Sequence, residues 1–120
     1  MTEHQEQAAL MKLCAAKTYQ YPDLAYIFAI PNGGQRNLVT AARLKAEGVK
    51  PGIPDLFLAV PKGDYHGMFI EMKARQNGKL SVHQKACIAS FKRRGYACVV
   101  AYGWEEAWAE IVKYITITDN

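Results

Sequence analysis

No stretch of this 120-residue chain approaches the roughly 20 consecutive apolar residues that a membrane-spanning helix needs. The opening residues, Met1-Thr2-Glu3-His4-Gln5-Glu6, are polar and acidic, which is wrong for a secretory signal. Cysteine is scarce: Cys14, Cys87 and Cys98 are odd in number and lack metal-ligand spacing. Free thiols in a reducing cytoplasm, and so a soluble cytoplasmic protein, are the expectation. His4, His66 and His83 are isolated, so there is no zinc pattern. There is no Walker-type loop, and no cysteine has the histidine context of a nucleophile. Repeats, linkers and low-complexity segments are missing too, and one domain over residues 1–120 is expected.

Acidic residues are missing from one long segment. Met72 to Arg94 carries seven Lys or Arg and no Asp or Glu. Residues 36–94 hold twelve basic residues against four acids, and the rest of the chain holds three against seven. A block this one-sided suits a polyanionic partner such as nucleic acid. With a net charge of only +4, a solvated helix face with ordinary lysines fits equally well.

What is present is alternating helix and strand chemistry. Thr2 is a candidate N-cap for a helix over residues 3–17, striped by Leu10, Leu13 and Cys14. Tyr21-Pro22-Asp23 ends it, and residues 25–30 read as a short strand. Pro31-Asn32-Gly33-Gly34 is a turn. Asn37 caps a short helix that stops at Gly48. Strands are expected over residues 55–60 and 66–73. Ser81 caps a helix to about Arg94, and Gly95 stops it. A strand over residues 97–102 and a helix striped by Trp104, Ala107, Trp108, Ile111 and Ile115 complete the chain. The order predicts an α/β or α+β domain with a mixed sheet.

Within this frame Gly52-Ile53-Pro54-Asp55 and Glu71-Met72-Lys73 stand out. Side chains alternate faces along a strand, so Phe69, Glu71 and Lys73 share one face, and Met68, Ile70 and Met72 the other. If the two strands pair as a hairpin, Asp55 at the start of one meets Glu71 near the end of the other. Two carboxylates supply the oxygen ligands that Mg²⁺ or Mn²⁺ takes, and the Met72 carbonyl between Glu71 and Lys73 is a further candidate ligand. Lys73 adds positive charge where phosphate charge would develop. The bland alternative is a turn aspartate and an exposed Glu71–Lys73 pair, worth little. Charges that interrupt apolar strands favour a site.

Proline-aspartate followed by carboxylate-x-lysine matches the PD-(D/E)xK nuclease signature. More closely, the chain resembles the virus-type replication-repair nuclease (VRR-NUC) domain. The shared features are Ile30 to Gly34 with Arg36, Lys45 to Lys50 leading into the Asp55 turn, Gly67 to Lys73, Leu80-Ser81 to Gln84, and Gly95-Tyr96. The resemblance implies a restriction-endonuclease-like α/β fold, a small mixed β-sheet flanked by α-helices. It further implies a divalent metal, Mg²⁺ or Mn²⁺, held by Asp55 and Glu71. Lys73 would position water or neutralise the scissile phosphate. Gln84 matches the family's glutamine after the site lysine and reads equally as a helix cap. The family's first-helix acid maps to Glu3, with Gln7 on the same face, while Glu6 competes for the role. Asn32, Gly33 and Arg36 in the turn, with Lys79 and Lys85, are candidates for nucleic-acid contact.

The activity so implied is a metal-dependent, structure-selective DNA endonuclease acting on branched DNA such as four-way junctions, with a homodimer implied by analogy with family members that stand alone. A non-catalytic nucleic-acid-binding module that keeps the fold is the alternative.

Overall fold

Thr2 opens the fold by capping helix α1 (Glu3–Lys17). Its hydroxyl accepts from the Gln5 amide at 3.1 Å, and the Gln5 side chain accepts from the Thr2 amide at 2.8 Å. This reciprocal box fixes where the helix begins. The computed structural model describes residues 1–31 and 37–118.

After α1 come a 3₁₀ turn (Pro22–Tyr26), strand β1 (Ile27–Ala29), helix α2 (Leu38–Ala46), and strands β2 (Leu56–Leu58) and β3 (Met68–Lys73). Helix α3 (Val82–Arg93), strand β4 (Ala97–Tyr102) and helix α4 (Trp104–Ile115) follow. The 3₁₀ turn replaces the start of the strand expected at residues 25–30. Pro22 stands at its start, where a fixed φ favours helical geometry and a missing N–H costs nothing. Leu24 is buried by the turn. Strands β2 and β3 are shorter than the expected 55–60 and 66–73, since the β2 ladder extends only across its three residues.

The sheet order is β1-β2-β3-β4. The first three strands are antiparallel, and β4 runs parallel to β3, as the α3 crossover between them permits. This is the mixed sheet with flanking helices that the sequence predicts. Every residue of β3 is buried, because helices cover both faces. Met68, Ile70 and Met72 sink into the main core with Leu10 and Cys14 of α1 and Ala107 and Ile111 of α4. On the opposite face Phe69 stacks on Phe91 of α3, ring centroids 4.2 Å apart, and lies 4.5 Å from Phe57 of β2. Glu71 and Lys73 continue that second face towards the C-terminal end of β3. No helix among the described residues is long and apolar enough to cross a membrane.

Candidate active site

The antiparallel register pairs Leu56 with Ile70; one residue further, Asp55 stands opposite Glu71. Asp55 is held there by its own side chain, whose Oδ2 accepts from the Met72 amide at 2.8 Å. Its carbonyl accepts from the Ile30 amide at 2.8 Å. The turn before it has to be glycine. Gly52 has φ of +87°, and a Cβ there would lie 2.6 Å from the His83 carbonyl oxygen in the first turn of α3. Only a bare backbone approaches this closely. The Pro51-Gly52 turn therefore packs on α3, and buried Pro54 leads the chain into the corner where Asp55 and Glu71 meet.

Glu71 is 3% exposed. Its Oε2 accepts from Gln84 Nε2 at 3.0 Å and lies 3.4 Å from Lys73 Nζ. Its Oε1 is buried with no hydrogen-bond partner among the described residues. Burial pushes the Glu71 carboxyl up from the usual 4.5 to about 8; the Asp55 charge adds to the rise and Lys73 opposes it. A buried carboxylate with one satisfied and one orphaned oxygen is costly as it stands. It fits a cation that would take the second oxygen.

Gln84 serves two partners at once. At the third position of α3 its carbonyl oxygen accepts from the Ser81 amide at 2.8 Å, and its own amide donates to Ser81 Oγ at 3.1 Å. That cap leaves the Gln84 amide NH₂ to face Glu71. The cap expected at the sequence level is present, and the same side chain also reaches Glu71.

Asp55, Glu71, Met72, Lys73, Gln84 and Glu3 all line one cleft of about 440 Å³. Glu3 reaches it from the N-terminus of α1, its Oε1 accepting from the Ala74 amide at 3.3 Å. Glu6 does not line the cleft: it is fully buried and paired with Arg75. Lys79 and Lys85 are exposed and lie outside the cleft wall. Asn32, Gly33 and Arg36 fall outside the described residues. The cleft also takes in His4, Gln7 and Pro31. His4 has no zinc-like spacing in the sequence, and its place next to Glu3 at the start of α1 is the one signal that brings it to the cleft. A larger groove of about 520 Å³ between β4 and α4 has one carboxylate, Glu110, and three tyrosines; it lacks convergent metal ligands.

Among the described residues no three His, Cys, Asp or Glu side chains group closely enough to hold a metal by themselves. This suits Mg²⁺, which keeps several waters and binds one or two carboxylates together with substrate phosphate. Asp55 and Glu71, side by side in the cleft, are the carboxylates that could form such a pair.

A family model described as VRR-NUC domain matches residues 1–105, a span that includes every cleft residue named above. A solved structure described as a VRR-NUC domain protein is similar to this chain at a TM-score of 0.82 and 32% sequence identity. The match covers 99% of this chain and 92% of that one. No curated protein matches.

Proposed function

This chain belongs to the VRR-NUC nuclease domain family, and from that premise we propose that it is a Mg²⁺- or Mn²⁺-dependent DNA endonuclease. Its proposed substrate is branched DNA such as a four-way junction, cut by a homodimer that sets one cleft against each of two strands. The observation that carries the reading is Glu71, buried at 3% exposure with Oε1 unpartnered and bordered by Asp55 and Lys73. Asp55 and Glu71 would hold the metal, with the Met72 carbonyl and Glu3 as further oxygen donors. When bound, the ion supplies Lewis-acid activation of the phosphodiester and of water.

The chain's own groups do the rest. Lys73 Nζ, fixed 3.4 Å from Glu71 Oε2, offers a preorganised cation to the phosphate as charge develops on its oxygens. Gln84 holds the Glu71 carboxylate in one orientation from the rigid start of α3. Asp55 is oriented by the Met72 amide. The one-sided basic segment from Met72 to Arg94 supports a polyanionic substrate, with phosphate contacts that position without specifying sequence.

The direct test is a panel of linear, flapped and four-way DNA incubated with Mg²⁺ or Mn²⁺ across protein concentrations. Cleavage of branched DNA that EDTA abolishes, rising with dimer formation, is expected. Full activity in EDTA, or in Asp55→Ala, Glu71→Ala and Lys73→Ala alike, would overturn the nuclease reading. DNA binding with no metal heat by calorimetry would favour a non-catalytic module instead.

Gln84 gives a finer prediction. Gln84→Ala removes one arm of the reciprocal cap, the Ser81 amide to Gln84 Oε1 bond, while Ser81 Oγ still accepts from the residue 84 backbone amide; a cost of about 0.5–1 kcal/mol in chemical denaturation is expected. Gln84→Glu keeps a side chain that caps at this position but sets a second carboxylate against Glu71. Stability near wild type with cleavage reduced at least about tenfold is expected for that variant. Equal activity in Gln84→Glu and wild type would show that only the cap matters.

A further inference from the structure

A second polar cluster lies behind the cleft. Glu6, fully buried on α1, gives both carboxylate oxygens to Arg75: Nε to Oε2 at 2.6 Å and Nη2 to Oε1 at 3.0 Å. Arg75 stands two residues beyond Lys73, in the segment leaving β3. The same guanidinium pairs with Glu105 in the first turn of α4. Gly103, with φ of +102°, leaves the room: a Cβ there would lie 2.6 Å from Arg75 Cζ and 2.9 Å from Glu6 Oε2. Three elements, α1, the end of β3 and the start of α4, thus meet on one planar fork.

A solvent-exposed pair would fix little, but Glu6 has no solvent exposure and its fork is bidentate, which sets geometry as well as charge. What the fork fixes is the approach of α1 to β3. Glu3 lies one helical turn before Glu6, and the amide it accepts from, Ala74, is the residue between Lys73 and Arg75. If α1 shifts along β3, Glu3 loses Ala74 and leaves the cleft.

We infer that Arg75 is a positioning residue for the metal site, acting through Glu6 to hold Glu3 at the cleft beside Lys73. The inference rests on the nuclease reading for its consequence, but not for its geometry. Arg75 does not line the cleft; its effect passes through the seating of α1.

The test uses Arg75→Gln, Arg75→Lys, Glu6→Gln, and the double variant Glu6→Gln/Arg75→Gln, which strands no buried charge. In the metal-free protein the Ala74 amide is followed by hydrogen exchange. Faster exchange at Ala74 in Arg75→Gln and in the double variant is expected, with α3 amides unchanged. Mn²⁺ binding is then measured by calorimetry. A loss of about 10–100-fold in affinity is expected, with Arg75→Lys intermediate because it keeps charge without the fork. In a Glu3→Ala background, Arg75→Gln should add no further loss, since the residue through which it acts is gone. Unchanged Ala74 exchange, or Mn²⁺ losses that simply add in the double-mutant cycle, would overturn the inference. Absence of Mn²⁺ binding by the wild type would sink the metal site itself, while the Ala74 exchange would still report on the fork.

Discussion

Glu71→Gln is expected to lower cleavage by about a thousandfold or more, yet to make the metal-free protein more stable than wild type at pH 8. Both effects come from one carboxyl. Burial, and then the charge of Asp55, raise its pKa from 4.5 to about 8. Below pH 4.5 the folded and unfolded chains both hold the proton, and the group costs nothing. Between pH 4.5 and 8 the unfolded chain gives up the proton while the folded chain keeps it. Stability is therefore lost as pH rises through that window and levels off above it. Each unit of separation is worth about 1.4 kcal/mol, so the loss amounts to a few kcal/mol at most. Glutamine carries no charge at any pH and removes the slope.

Urea melts in EDTA from pH 4.5 to 8.5 check this: the wild-type midpoint should fall with pH and the variant midpoint should not. Added Mg²⁺ should stabilise the wild type and leave Glu71→Gln unaffected, because under the proposed function the ion would bind the folded state through that carboxylate. Below pH 8 its binding should also release a proton, visible by calorimetry in two buffers of different ionisation enthalpy. Parallel pH profiles for the two proteins would show that Glu71 is not the strained group.

Much of this corner was legible from strand periodicity alone. Glu71 and Lys73 share a face because they are two residues apart, and Asp55 meets Glu71 because a short connection makes β2 and β3 antiparallel neighbours. The fold class followed from the same alternation of helix and strand. Gln84 could be found because it is the one polar residue on a stripe with Ile88 and Phe91. Its double use, capping α3 and holding Glu71, could not be read, since one spacing serves both. The choice between Glu3 and Glu6 was beyond the sequence for a different reason. Both sit at the start of α1 at helical spacings that reach inward, and what separates them is Arg75, a partner 69 residues from Glu6. No local pattern encodes that contact. Arg75 itself looked like one more cation in a basic run.

Lys73→Met should separate metal binding from catalysis. Lys73 and a metal held by Glu71 are like charges in one corner. Unit charges about 5 Å apart repel by about 3 kcal/mol at an effective dielectric of about 20, and a dication doubles the figure. Removing the lysine also raises the Glu71 carboxyl further, since Lys73 is the group that lowers it, so a bound proton competes harder with the metal near neutral pH. The proton feels one unit of charge where the dication feels two. The relief of repulsion therefore wins, and Mn²⁺ affinity should rise in Lys73→Met, most clearly once the pH exceeds the further-raised Glu71 value, where proton competition fades. Turnover should nonetheless fall by about 100- to 1,000-fold, because the cation set towards the developing phosphate charge is gone. Calorimetric Mn²⁺ titration beside single-turnover cleavage at saturating Mn²⁺ reads both quantities. Weaker Mn²⁺ binding would make Lys73 a support for the carboxylates, and unchanged single-turnover rates would remove it from the chemistry.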